Sequence, residues 1–236
     1  MYNPTSVKPL VLILLLACLP LLSGISRAAD IPQEETLAKL QQVYRGFTSL
    51  RFDFTQLTRT QVRARTGRGT AVFLRAEKPE QPGIMRWDYT EPDRQIIVND
   101  GKKLFMYTAG DHQLLITSAR ELDDDITYSF FSGKHNITDV FIPQPPDTRF
   151  SFELAGTTLH VMRLLPRKPS PRIKAVQIWF DDNYLIRHLL LEDPFDTITQ
   201  LDFTNIQTNT LDIHDPKVRE KILKLDIPKD TEILRR

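Results

Sequence analysis

The chain has 236 residues, with 31 basic and 30 acidic side chains and a formal net charge of +1 at pH 7. This balance excludes a protein that is drawn to nucleic acid or to an anionic membrane by its overall electrostatic field. The only cysteine is Cys18, so a framework of intrachain disulfides is excluded as well.

The N-terminal residues have the pattern of a secretory signal peptide. Lys8 precedes an apolar run at residues 10–22, and small residues follow, ending in Ala28 and Ala29. The run is shorter than the ~20 residues that a membrane-spanning helix needs. We therefore predict cleavage after Ala28 or Ala29, with residues 1–29 as signal peptide and residues 30–236 as one domain.

Cys18 leaves an alternative open. Residues 15–18, Leu-Leu-Ala-Cys, partly match the sequence at which lipoproteins are cleaved before a lipidated cysteine. The bulky Leu16 and the apolar residues 19–22 argue against lipidation. Without lipidation, Cys18 leaves with the signal peptide and the mature chain has no thiol.

The mature chain begins with a predicted helix over residues 32–45. Apolar residues recur there at helical spacing, Glu34 and Glu35 complement the helix dipole, and Gly46 is a natural stop. Short helices are predicted again within residues 118–142, at 119–122, 126–131 and 136–141. The proline cluster at residues 143–146 is expected to end them.

Most of the remaining chain has the alternation of β-strands. The clearest case is Met85, Trp87 and Tyr89, which alternate with Arg86 and Asp88 and predict one apolar and one polar face. Loops are predicted at residues 63–69 and 77–83. Strands are predicted at residues 52–61, 70–75, 85–89, 95–98, 103–107, 112–117, 150–154, 158–165, 173–180, 185–192, 197–206 and 222–227.

Sequential strands joined by short turns predict an antiparallel sheet and an α+β fold that is mainly β. No helices alternate regularly with the strands, which argues against a parallel α/β sheet. A sheet of about a dozen strands must curl, close or be covered by helices.

Motifs for catalysis or metal binding are absent from the sequence. It has no Gly-x-Ser-x-Gly elbow and no phosphate-binding loop. The acidic run at residues 121–125 lacks the alternating ligands of a calcium loop and is interpreted as a solvated helix start. We expect no enzyme activity, no cofactor and no metal site. The five histidines stand far apart, at His112, His135, His160, His188 and His214.

Four phrases in a fixed order carry a family resemblance. They are FDFTQ at residues 52–56, PGIMRWDY at 82–89, QIIV at 95–98 and DGKKLFMY at 100–107. Together with the signal peptide, they resemble the outer-membrane lipoprotein carrier family (LolA). The resemblance extends over the mature chain, although the later strands match mainly in pattern.

The resemblance implies a single curved antiparallel sheet that forms an incomplete barrel, with an apolar concave face and a lid of short helices. Members of this family take acylated lipoproteins from an inner-membrane ABC release complex, carry them across the periplasm and pass them to an outer-membrane acceptor. We expect the same partners here, no nucleic acid, and a monomer.

Large apolar residues on the predicted strands are the candidates for an acyl-chain cavity. They alternate with polar residues, and a sheet with so many of them needs either a ligand or a lid against it. Trp179 lies on the opposite strand face from Ile178 and is expected to be exposed. The lid contacts are predicted to be Phe130 and Phe131. The predicted lining residues are Phe52, Phe54, Phe73, Met85, Trp87, Tyr89, Phe105, Tyr107, Val176, Ile178, Phe180, Leu201 and Phe203.

The sequence departs from the family at the residue that holds the lid. The family has an Arg-Pro pair just after the strand equivalent to residues 70–75, and its arginine hydrogen bonds to the lid. Here the candidates are Lys78 and Gln81, which lack the planar fork of arginine. Arg75 and Arg86 are the substitute donors that we consider.

Two other functions compete with the carrier. One is the outer-membrane acceptor of the same system, a half-barrel of the same kind that would be anchored through a lipid on Cys18. The other is a periplasmic lipid-binding sensor or a structural module that binds a partner protein.

Overall fold

A curved sheet and four helices make up the described part of the protein. The computed structural model describes residues 33–75, 83–122, 125–132 and 136–236. The predictions that concern the signal peptide, Cys18, Lys78 and Gln81 lie outside these residues.

Within the described residues, four α-helices and one 3₁₀ turn accompany a sheet of twelve strands. The helices are α1 (Gln33–Gly46), α2 (Ile126–Ser132), α3 (Ile137–Val140) and α4 (Pro216–Leu223), and the 3₁₀ turn is Ala119–Leu122. The strands are β1 (Ser49–Arg59), β2 (Ala64–Leu74), β3 (Ile84–Glu91), β4 (Gln95–Asn99), β5 (Lys103–Thr108), β6 (Gln113–Ser118), β7 (Phe141–Gln144), β8 (His160–Pro166), β9 (Ala175–Phe180), β10 (Ile186–Glu192), β11 (Ile198–Thr208) and β12 (Glu232–Arg235).

The strand order is β12-β6-β5-β4-β3-β2-β1-β11-β10-β9-β8-β7. All neighbours are antiparallel except β12, which pairs with β6 in parallel. Four strands separate β3 from β9, yet Trp87 on β3 and Ile178 on β9 belong to the same apolar cluster. The sheet must therefore curve strongly. This open curved sheet with short helices confirms the predicted fold class.

Gly69 in β2 helps to bend the sheet. A Cβ atom on Gly69 would lie 1.8 Å from the backbone oxygen of Asp88, so only glycine fits there without a backbone shift. The register between β2 and β3 shifts at this point, between Arg68 and Gly69. A shift of this kind increases local twist and curvature.

Three sequence predictions of elements were wrong. The predicted loop 63–69 belongs to β2, which pairs with β1 from Ala64 onward; pairing overrides the low strand propensity of its two glycines. Residues 150–153 form no strand. Residues 222–223 end α4 and are followed by an irregular segment, so the last strand is β12 rather than 222–227.

A strand was also missed within the proline cluster. Pro143 lies in β7, which is the last strand at one end of the sheet. A proline is tolerated there because an edge strand has one side without ladder hydrogen bonds.

Both faces of the sheet are covered. Helix α1 buries Leu37, Leu40 and Tyr44 against one face. Helix α4 covers the other face with Ile222, which packs with Leu74 and Ile84. We call the face that carries α1 the inner face and the opposite one the outer face.

Trp179 is buried, contrary to the prediction that it is exposed. It lies on the outer face with 4% of its surface exposed. The rings of Phe152 and His188 cover it, with centroids 6.4 and 4.8 Å away. Phe152 belongs to the segment between β7 and β8, so this irregular segment shields the outer face of β9 and β10.

Candidate functional site

The inner face carries a large apolar cluster, which we call the inner cluster. It combines side chains of the sheet with those of α1, α2 and α3. Eleven of the thirteen predicted lining residues belong to it, either buried or packed against it. They are Phe52, Phe54, Phe73, Met85, Trp87, Tyr89, Val176, Ile178, Phe180, Leu201 and Phe203.

Phe131 of α2 lies at the centre of the inner cluster. Its ring centroid is 4.9 Å from that of Phe52, 5.1 Å from Phe203 and 5.6 Å from Phe73. A fourth ring, that of Tyr44 on α1, is 5.7 Å away. These spacings are typical of favourable aromatic pairs. The neighbouring Phe130 is fully buried in the same cluster, so α2 fills the interior with both predicted lid residues.

Phe105 and Tyr107 lie on the outer face and are therefore separated from the other predicted lining residues. Phe105 pairs with Val98, and Val98 pairs with Arg86 on the next strand, so the three side chains lie on the same face of the sheet. Arg86 precedes Trp87, which points to the inner face, so this shared face is the outer one. Tyr107 packs in a second cluster with Ile96, Val98 and Leu114, covered by residues 223–227. Alternation along β5 was recognised correctly, but the face assigned to these two residues was wrong.

Helix α2 is fixed at its N-terminus and through Tyr128. The Asp125 carboxylate accepts a hydrogen bond from the Tyr128 N–H at 2.7 Å, which caps the helix. The Tyr128 hydroxyl accepts from Asn99 Nδ2 at 3.1 Å. Asn99 ends β4 and is buried, so this bond joins the helix to the sheet.

Helix α3 is attached to α1 by a buried side chain. Gln41 Oε1 accepts a hydrogen bond from the N–H of Ile137, the first residue of α3, at 3.0 Å. This bond satisfies one of the N–H groups that a helix leaves without an internal partner. The helices over the inner face thus support one another.

The two arginines considered as lid latches have different roles. Arg75 donates to the backbone oxygens of Tyr44, at 2.8 Å, and Arg45, so it holds the C-terminal end of α1. Arg86 lies on the outer face, where it donates to Asp88 at 2.6 Å and to the Lys224 backbone oxygen at 2.6 Å. Arg86 therefore fastens the segment after α4 and does not reach the inner helices.

Few polar groups lie within the inner cluster. Burial raises the pKa of Tyr44 far above its ordinary value, and its hydroxyl accepts from the Ile186 N–H at 2.9 Å. Burial raises the pKa of Tyr89 to about 12, and its hydroxyl donates to Gln56 Oε1 at 2.8 Å. Both tyrosines are therefore neutral hydrogen-bonding groups at physiological pH.

Sequence reasoning missed Asn99, Tyr128 and Gln41. Asn99 follows the predicted strand 95–98 and also stabilises the turn after it, since its Oδ1 accepts from the Gly101 N–H at 2.7 Å. Gln41 lies on the helix face that carries Leu37 and Tyr44. A polar residue on an otherwise apolar helix face could have indicated a buried hydrogen bond.

Among the described residues, no helix is long and apolar enough to cross a bilayer. Within the same ranges, no three or more His, Cys, Asp and Glu side chains come together as a group that could hold a metal ion.

The fold and the site define a class of proteins in which a curved open sheet surrounds an apolar interior that is filled by short helices. The model of the family described as outer membrane lipoprotein carrier protein LolA matches residues 45–214. The chain belongs to this family.

Individual relatives agree with the family match. A protein of Methylococcus capsulatus named outer-membrane lipoprotein carrier protein is 28% identical over 191 residues, which cover 79% of this chain and 83% of the relative. A protein of the same name from Nitrosomonas europaea is 24% identical over 159 residues, 66% of this chain and 69% of the relative.

The fold resembles solved structures at low sequence identity. An uncharacterized conserved protein from Thermus thermophilus superposes with a TM-score of 0.50 and 12% identity. The superposition covers 86% of this chain and 98% of the other. At this identity the likeness concerns the fold alone.

Proposed function

We propose that the protein is a periplasmic carrier that encloses the acyl chains of lipoproteins in the inner cluster. The observation that carries this proposal is the position of Phe131, whose ring lies between Phe52, Phe73 and Phe203 of the sheet. A side chain supplied by a short helix occupies the space that an acyl chain would take. Cargo binding then requires only that α2 move away.

The physical need for such a carrier follows from the hydrophobic effect. Each exposed methylene of an acyl chain costs ~0.8 kcal/mol in water, so a multiply acylated protein cannot cross an aqueous compartment uncovered. The eleven predicted lining residues of the inner cluster replace water around the chains, and Phe130 and Phe131 cover the same residues when no cargo is bound.

The short length of α2 suits a removable cover. It has seven residues, fewer than an isolated helix needs to be stable in water. Its stability therefore depends on packing against the sheet and on the bonds of Asp125 and Tyr128. Acyl chains that replace this packing compensate for the loss of the helix contacts, which permits exchange without an energy source in the carrier itself.

The proposed route follows from the family and from the predicted signal peptide. The chain is exported, residues 1–29 are removed, and the mature protein acts as a monomer in the periplasm. It receives lipoproteins from an inner-membrane ABC release complex and transfers them to an outer-membrane acceptor.

Mass spectrometry of the natively purified protein tests the proposal. We expect bound acyl species or trapped lipoproteins, released when the protein is unfolded. A protein that is isolated without acyl ligands and fails to take up a triacylated lipopeptide would contradict the carrier function and favour a structural role.

A further inference from the structure

Trp87 is buried in the inner cluster with its indole N–H unused. The side chain is 6% exposed, and its ring centroid lies 4.5 Å from that of Phe54 and 5.6 Å from that of Phe52. Among the described residues, its Nε1 atom has no hydrogen-bond partner. Buried polar groups without a partner are rare, and this one needs an explanation.

The neighbouring side chains do not satisfy this donor. The hydroxyl of Tyr89 is close enough that Trp87 opposes the rise in the tyrosine pKa that burial causes. However, the indole N–H does not reach hydrogen-bond geometry with this hydroxyl, which donates its own proton to Gln56 and keeps its lone pairs free. The remaining rings around Trp87, those of Phe52, Phe54 and Phe73, offer no oxygen acceptor.

We infer that Trp87 Nε1 donates a hydrogen bond to a carbonyl oxygen at the carboxyl end of a bound acyl chain. This inference rests on the proposed carrier function and specifies its ligand. The indole N–H is a donor only, so its partner must carry an acceptor. Hydrocarbon tails have none, whereas every ester- or amide-linked acyl chain has a carbonyl oxygen next to its first methylene.

Space for the linkage end of a chain exists beside Tyr89. Gly67 has no side chain there, since a Cβ would lie 3.3 Å from the Tyr89 ring. In the proposed complex the carbonyl end lies at Trp87, and the methylenes occupy the volume that Phe131 vacates.

The Trp87 N–H also favours the loaded state over the closed state, in which α2 fills the interior. With α2 in place, the N–H is buried against hydrocarbon and loses its hydrogen bond to water. A loaded protein regains a hydrogen bond, so the acyl linkage is favoured over an alkyl group of equal length. Trp87 is therefore a specificity-determining residue in addition to being an apolar lining residue.

The test compares two probes that differ only in their carbonyl groups. One is a cysteine peptide with two ester-linked C16 chains on its glyceryl group, and the other is its diether analogue. A single hydrogen bond in an apolar site predicts about tenfold tighter binding of the diester by the wild-type protein. Trp87→Phe is expected to lose the preference, so that its affinities for the diester and the diether become equal.

Trp179 supplies the matched control. It is the only other tryptophan, it is buried on the outer face, and Trp179→Phe should retain the preference for the diester. In this variant the one indole N–H resonance belongs to Trp87. Its proton resonance is expected to move downfield with the diester and not with the diether, a result that does not depend on the folding of Trp87→Phe.

Three outcomes overturn the inference. They are equal affinity of the wild type for both probes, a diester preference retained by Trp87→Phe, and an indole resonance that responds alike to both probes. Failure of the wild type to bind either probe is a separate result, because it overturns the carrier function itself.

Discussion

Asn99 Nδ2 donates a hydrogen bond to the Tyr128 hydroxyl at 3.1 Å, between two side chains that are 1% and 8% exposed. The bond joins the end of β4 to the helix that fills the inner cluster. Asn99 also accepts from Gly101 within the β4–β5 hairpin. One side chain thus connects the β4–β5 hairpin to the proposed lid.

Replacing Tyr128 by phenylalanine is expected to loosen α2. The substitution leaves the Asn99 amide buried without this partner, which lowers the stability of the closed form by roughly 1–3 kcal/mol. Amide hydrogen exchange should accelerate in residues 126–132 before it does so in the sheet. Tyr184→Phe is the control, since its hydroxyl has no hydrogen bond among the described residues; an equal acceleration in both variants would contradict the latch role.

Replacing Trp87 by glutamate is expected to abolish acyl binding while the protein is still exported. An ionised carboxylate in the inner cluster is strongly unfavourable without a partner. The control is Phe195→Glu, because Phe195 is 78% exposed in the β10–β11 turn. Binding of a fluorescent acyl probe measures the effect, and retained binding by Trp87→Glu would show that the wrong face was chosen.

Phe131→Ala is expected to change protein stability and acyl affinity in opposite directions. Loss of a buried phenylalanine should lower the free energy of unfolding by roughly 3–5 kcal/mol. Acyl affinity should rise at the same time, because a competing side chain has been removed from the binding volume. Phe152→Ala, which removes a ring from the outer face, should destabilise the protein without raising affinity. Reduced affinity in Phe131→Ala would argue against competition between lid and cargo.

Acid should weaken the segment between β7 and β8. Hydrogen bonds from Arg149 and then Arg163 lower the pKa of Asp147 far below its ordinary value. A carboxyl whose pKa is lower in the folded than in the unfolded state stabilises the fold above the unfolded value. This contribution is lost as the pH falls below roughly 4.

Chemical denaturation between pH 3 and 7 measures this dependence. Asp147→Asn should show a smaller loss of stability toward acid than the wild type. Asp93→Asn, at an exposed turn position outside this ion-pair group, should follow the wild-type curve. Identical curves for wild type and Asp147→Asn would contradict the assignment.

Labelling of cells with radioactive palmitate tests the soluble carrier against the anchored acceptor. If residues 1–29 are removed as a signal peptide, wild type and Cys18→Ser should both remain unlabelled. Label that is present in the wild type and lost in Cys18→Ser would identify Cys18 as a lipid anchor.

The sequence predicted the fold best where local signals and sheet pairing agree. Residues 84–108 combine alternation with short turns between strands, and the three strands there were placed within about two residues of their observed ends. Predictions failed where long-range pairing decides the structure. β2 is extended by its partner β1 despite two glycines, and β12 exists because β6 offers it an edge.

The sequence predicted most residues of the candidate site, but not the face of the sheet to which each belongs or the long-range hydrogen bonds among them. Alternation shows which residues share a face, yet it cannot show which face turns inward when both are covered. Phe105 and Tyr107 were misassigned for this reason, since Leu225 and Ile227 make their face apolar as well. The bonds of Asn99 and Gln41 join residues 29 and 96 positions apart, a separation that no local pattern reveals.

Gly69 makes the curvature of the sheet, and hence the size of its apolar interior, depend on the main chain. Because β2 approaches Asp88 so closely at this residue, a methyl group there would force the two strands apart and flatten the curve between them. The curvature of the sheet at this point therefore depends on the close approach of two main chains and not on the choice of lining side chains. Substitutions in the lining can change which cargo is preferred, whereas a change at Gly69 would alter how much cargo fits.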